Sequence, residues 1–203
     1  MKQILILSAI AVSLSIASAC SSSPETATTN RTANTTTANT ATTNAANTTK
    51  ADDTPAAVKA VFPDAQSFTT QHKDVPADKI ASIEKDTSSK VPDKDHHSYL
   101  AFSTAGGARK QIGAATVVKA DGKDVIIVYD NKDGSPVIKE VRAEGVPAPF
   151  LAQFAGKGHD DDLLLGADIK ASGANEAQAK AITEAVRVDV LTMQALYGAA
   201  HKH

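Results

Sequence analysis

Cysteine occurs once in this 203-residue chain and tryptophan not at all. A lone cysteine excludes an internal disulfide framework, a Cys-based zinc site and an iron–sulfur cluster. Aromatic residues make up only 4%, so the core has to be built from Val, Ile, Leu and five phenylalanines. That is adequate for one domain of about 150 residues. Charge of one sign is also lacking. The formal net charge is −2, which gives no field to draw in nucleic acid. Long apolar runs are absent too. The longest, Ile4 to Ile16, has thirteen residues, whereas an untilted membrane-spanning helix needs about 20.

That run follows Lys2 and leads into Ala17-Ser18-Ala19 and then Cys20. The order of positive start, apolar stretch and small residues is that of a secretory signal peptide over residues 1–19. Two processing routes fit. Ala-x-Ala suits ordinary signal peptidase cleavage, which leaves Cys20 as a terminal thiol. The alternative resembles the bacterial lipobox, with Ala17 in place of the usual Leu and Ile16 one residue earlier. The only cysteine of the chain falls where a lipoprotein requires it, so lipidation of Cys20 is the expectation. Two or more acyl chains make a stable anchor, at about 0.8 kcal/mol per buried methylene. Ser21 rather than Asp after the cysteine favours the outer membrane of a double-membraned bacterium, with the domain in the periplasm or at the surface.

Residues 20–50 are almost wholly Ser, Thr, Asn and Ala. They offer too little apolar surface to offset the entropy of ordering, so a disordered tether is expected. As a flexible coil, 30 residues span about 30 Å. From Ala51 the composition changes. Residues 51–203 carry 18 basic and 22 acidic side chains, a net of −4, and define a mildly acidic domain.

Within it, Thr54-Pro55 reads as an N-cap with proline in the first helical position. The short helix that follows would turn Val58, Val61 and Phe62 inward and close at Pro63. A strand containing Phe68 comes next, then a helix opened by Pro76 and carrying Ile80 and Ile83. Four apolar runs follow: 98–104, 111–118, 124–129 and 136–142. Gly106-Gly107, Asp121-Gly122 and Asp133-Gly134 separate them, which argues an antiparallel meander. A short helix at 147–154 ends near Gly156. The last element, from Glu176 to about Gly198, places Ile182, Val186, Val190, Met193 and Tyr197 on one face. The expected fold class is α+β, an antiparallel β meander packed with helices and closed by a long C-terminal helix.

No nucleophile elbow, phosphate-binding loop, paired-His zinc motif or dinucleotide fingerprint occurs. His96 and His97 are adjacent, so on a strand they point to opposite faces and cannot chelate together. His159 with Asp160, Asp161 and Asp162 has the donor types of a hard-cation site. It lacks the glycine-punctuated spacing of a calcium loop and is read as a solvated acidic turn. His201 and His203 lie at the C-terminus. No metal ligand is assigned, and no set of titratable residues converges on a hydrolytic centre.

Four motifs in order remain: Phe62-Pro63-Asp64-Ala65, a glycine-turned meander, Gln153-Phe154-Ala155-Gly156-Lys157, and Ser172-Gly173-Ala174-Asn175 opening the final helix. Together the chain resembles the FMN-binding domain family over nearly all of residues 55–197. That family includes the flavin-carrying subunits of the sodium-pumping NADH:quinone oxidoreductase and of the Rnf complex. The resemblance implies FMN at Ser172, Gly173, Ala174 and Asn175. A helix N-terminus supplies unpaired N–H groups and a positive dipole end to a phosphate, and Gly173 permits close approach. In the family a threonine forms a phosphoester with FMN; here Asn175 holds that position, and a carboxamide cannot form the ester. Asp168 also lies four residues before Ser172 rather than three. FMN, if carried, is therefore expected to be non-covalent. The implied function is electron relay in the cell envelope by a lipid-anchored carrier, with a redox protein as partner. The alternative is a flavin-free envelope binding or regulatory module on the same fold, in which Asn175 is simply a helix cap.

Overall fold

A computed structural model describes residues 53–199. The signal peptide, Cys20, the tether, His201 and His203 lie outside the described residues.

The domain is α+β. Five strands, β1 (Ser67–Asp74), β2 (Asp95–Ser103), β3 (Lys110–Ala120), β4 (Lys123–Lys132) and β5 (Ser135–Ala143), form one antiparallel sheet in sequence order. Helices α1 (Ala56–Val61) and α2 (Ala77–Thr87) flank β1. Helix α3 (Ala148–Leu151) with a 3-10 turn at Ala152–Phe154 follows the sheet, and α4 (Glu176–Tyr197) closes the chain. Among the described residues no helix is long and apolar enough to cross a membrane.

Sequence explains the tight turns directly. Asp121-Gly122 and Asp133-Gly134 have φ of +51°, +72°, +53° and +85°. Two successive left-handed residues are what a two-residue hairpin with the strands' own twist demands. The loop between β1 and β2 is different, because α2 is inserted there. The β1–β2 pair is therefore non-local, with His72 opposite His97 and Asp74 opposite Asp95.

Strand alternation divides the core in two. On one face Val125, Ile127 and Tyr129 of β4 meet Phe150, Phe154, Ile182, Val186, Val190 and Met193. The expected stripe of α4 is thus its buried face, with Tyr197 packed at its end. On the other face Ile126 and Val128 of β4, Ala101 and Ala115 lie under Val58 and Phe62. A Cβ at Gly113 would come within 2.5 Å of the Phe62 ring, so glycine is what lets α1 approach β3 so closely.

Among the boundaries that differ from expectation, two have a clear physical reason. The N-cap of α1 is Pro55 rather than Thr54, since proline's fixed φ already suits the residue before the first helical turn. Strand β2 begins at Asp95, three residues before the apolar run. Its polar start is held by pairing with β1, a tertiary effect that local hydropathy does not register.

Candidate functional site

Residues 172–175 form the turn into α4. Ser172 and Gly173 both have left-handed backbones, with φ of +44° and +89°. Asn175 is the N-cap, its Oδ1 accepting from Gln178 N at 3.2 Å, which is the expected capping role. Gln153 ties the turn down from the side. Its Nε2 donates to Lys170 O at 2.8 Å and to Ser172 Oγ at 3.0 Å, while its Oε1 accepts from Lys170 N at 2.9 Å. A Cβ on Gly173 would meet Pro147 at 3.9 Å. Four cavities stand out among the described residues, and residues 172–175 line none of them.

The other polar cluster read from the sequence is a hydrogen-bonded turn. Asp161 Oδ2 accepts from Gly158 N at 2.8 Å, Lys157 Nζ lies 3.4 Å from its other oxygen, and His159 Nε2 is 3.1 Å from Asp160.

A more distinctive arrangement lies where β2 and β3 part. Their ladder runs from Ser103–Lys110 to Tyr99–Ala115 and goes no further. Beyond it β2 stays with β1 and β3 with β4. The gap is a cavity of about 510 Å³ whose walls come from both strands, from α4 and from the segment before β2. Val91, Pro92, Val118, Ala181, Ala185 and Val188 make it largely apolar, and its size is that of a small-molecule site.

At its base is a buried carboxylate. Asp189, on α4, has a side chain only 3% exposed. One oxygen accepts from Thr116 Oγ1 at 2.6 Å and from Tyr129 Oη at 2.7 Å. The other faces His96 Nε2 at 3.0 Å. Because a carboxylate only accepts, the imidazole must donate through Nε2–H. His96 is 11% exposed, and its Nδ1 has no hydrogen-bond partner within the described residues. The carboxylate fixes the ring, and the second nitrogen is enclosed by protein. That buries a polar atom at a cost of about 1–3 kcal/mol when unpaired.

Tyr129 reports on this network. Burial, then the negative charge of Asp189, pushes its phenol well above the ordinary value near 10. Tyr99 and Tyr197 are also raised, chiefly by burial. A folded-state value above the unfolded one gives stability that is fully present below the unfolded value and is lost as pH rises through the folded one. In an alkaline titration, tyrosinate absorbance of the native protein is expected to lag behind that of the urea-unfolded chain. Tyr129 should ionise only as the domain unfolds, and Tyr129→Phe should remove that component. Three tyrosines ionising near pH 10 in a still-folded protein would contradict this.

On the opposite face of β2, His97 and Asp95 stand beside His72 of β1. Asp95 Oδ2 lies 3.0 Å from His97 Nε2 and 3.3 Å from His72 Nδ1. His97 first, and His72 after it, hold the Asp95 carboxyl below the usual carboxylate range. The reading that His96 and His97 cannot act together holds, since each has its own partners on its own face. Asp189, His96, Thr116 and Tyr129 were not among the expected site residues, nor were His72 and Asp95. The local signals were a charged residue inside the apolar face of α4 and an Asp-x-His on one strand face.

The chain matches no family model, no curated protein and no solved structure. The resemblance to the FMN-binding domain therefore rests on its four motifs alone.

Proposed function

We infer that this chain is an exported, lipid-anchored binding module of the cell envelope, with a small-molecule site in the cleft between β2 and β3. The observation that carries the reading is the largely apolar cleft left where β2 and β3 part, with the buried Asp189–His96 pair in its wall. The ligand class is a compact, largely apolar molecule with one polar group such as a hydroxyl, since polar side chains such as Lys90 and Glu184 join the apolar lining. Lipidation of Cys20 and a tether over residues 20–50 would hold the domain near a membrane, the outer one favoured.

The second reading is non-covalent FMN at Ser172, Gly173, Ala174 and Asn175, serving electron relay to an envelope redox partner. The capped N-terminus of the 22-residue α4 favours it, since the first turn of a helix presents N–H groups and a positive dipole end to an anion.

One set of experiments separates the two. The full chain is purified from a flavin-replete host, acid-precipitated, and the supernatant and pellet assayed for FMN. The same protein is then titrated with a panel of phenols and cyclic alcohols and followed by amide NMR. Saturable shifts at Val118, Ala185 and Val188 that disappear in Ala185→Trp support the cleft. FMN in the supernatant, with shifts at residues 172–175 on its re-addition and none in the cleft, overturns that reading in favour of the electron carrier.

A further inference from the structure

We propose that His72, Asp95 and His97 form a binding site for a divalent transition-metal ion, on the face of the sheet opposite the Asp189–His96 pair. Among the described residues this is the one set of three or more histidine, cysteine or acidic side chains whose ligand atoms gather within 4.8 Å of one another. The proposal does not depend on the occupant of the cleft or on flavin.

The geometry comes from the strand register. Asp95 and His97 are two apart on β2 and so share a face, and His72 lies directly opposite His97 on β1. The two rings approach to 4.1 Å between centroids, inclined at 59°. Asp95 Oδ2 is 3.0 Å from one imidazole nitrogen and 3.3 Å from the other. Ligands at the Zn–N and Zn–O bond lengths of a tetrahedral site stand about 3.3 Å apart. An ion can therefore enter by side-chain rotation, since all three ligand atoms already lie within 4.8 Å of one another.

Donor chemistry narrows the ion. Two imidazoles and one carboxylate suit Zn²⁺, Cu²⁺, Ni²⁺ or Fe²⁺, whereas Ca²⁺ and Mg²⁺ ask for oxygen ligands. The three side chains are 52%, 39% and 46% exposed, so ions reach them from solvent and at least one coordination position stays open to water or to an outside ligand. Asp95 and His97 also line the β2–β3 cavity, which puts the ion at its edge.

Sequence reading missed this site for a physical reason. Its two histidines are separated by the whole of α2, and only the non-local β1–β2 pairing brings them together.

The test is calorimetric titration of Zn²⁺ into the purified full chain. A background of His201→Ala and His203→Ala removes the C-terminal histidines as a source of binding. One saturable site per chain is expected. His72→Ala, His97→Ala and Asp95→Asn should each weaken it about tenfold or more, and His159→Gln should leave it unchanged. Because the three ligands are exposed, the variants should melt as the parent does without metal, and each melt is recorded. Cu²⁺ bound to the parent should show nitrogen hyperfine coupling by electron paramagnetic resonance, reduced in each histidine variant. No saturable Zn²⁺ binding overturns the proposal. So does a site that survives His72→Ala and His97→Ala together; the cluster would then be a hydrogen-bonded surface group only.

Discussion

Replacing Asp189 with alanine is expected to be among the most damaging single changes in the domain. The carboxylate receives two hydroxyl donors, Thr116 Oγ1 and Tyr129 Oη, in addition to His96 Nε2. Thr116 and Tyr129 are 1% and 2% exposed, so neither donor can turn to bulk water. Each buried donor left unpaired costs about 1–3 kcal/mol, and the pair alone gives roughly 2–6 kcal/mol. For a domain of this size each kcal/mol lowers the melting temperature by about 2–4 °C, so a fall on the order of 10 °C is expected. Asn at this position keeps the volume and one acceptor oxygen, and should lose less. The mechanism has a sharper signature than the loss itself. Replacing all the polar partners together with apolar groups of similar shape is often nearly neutral. Asp189→Leu should therefore recover much of its loss when combined with Thr116→Val and Tyr129→Phe, which leave only His96 of the three partners polar, a non-additivity that urea unfolding of the single and combined variants would measure. Asp189→Ala melting within 1–2 °C of the parent would show that the network contributes little.

The same residue shows what a single sequence reveals and what it withholds. The apolar stripe Ile182, Val186, Val190, Met193 was readable because helical periodicity is local, and it is the face that α4 buries. Asp189 interrupts that face three residues after Val186 and four before Met193, so a buried carboxylate was implied by position. Its partners were not. Thr116 lies in the middle of one strand and Tyr129 near the end of another, and which of them meets α4 depends on how the sheet and helix cross. The meander was legible for a similar reason. Asp121-Gly122 and Asp133-Gly134 encode their own left-handed turns, so β3, β4 and β5 follow from residues a few positions apart. The join of β1 to β2 has no such code. Twenty residues including α2 intervene, and the polar Asp95-His96-His97 start of β2 is a strand only because β1 pairs with it.

That difference also separates the two kinds of candidate site. Residues 172–175 are contiguous, so a motif could point to them, and Asn175 does cap α4. What a motif cannot carry is the surroundings: Gln153 bound to Ser172 and Lys170 is a contact across 17 to 19 residues. The cleft and the His72–Asp95–His97 cluster are wholly products of register and of the point where β2 and β3 part.

Phe154→Ala is the other change expected to cost most. Phe154 is fully buried and meets Phe150 edge to face, with centroids 5.5 Å apart and planes at 89°. Truncating a buried phenylalanine costs about 3–5 kcal/mol, through lost transfer energy and the cavity left behind. Eight aromatic side chains serve the whole chain, so the core has little bulk with which to collapse into that space. The consequence reaches further than the cavity, because Phe154 is the anchor of its segment. Just beyond it Gly156 N donates to Ile138 O at 2.7 Å, and Ile138 N donates to Lys157 O at 2.8 Å. Just before it Gln153 holds Lys170 and Ser172. Loosening the ring should therefore free the amides of Ile138 and Lys170 together, one on the sheet and one on the approach to α4. Hydrogen exchange in Phe154→Ala is expected to speed at both before the central β4 amides of Ile126 and Ile127 respond. Phe154→Leu, which leaves a smaller void, should lose less than half as much stability and keep both amides protected. Unchanged protection at Ile138 and Lys170 in the alanine variant would mean that backbone bonding, and not the buried ring, fixes the segment on which the 172–175 turn rests.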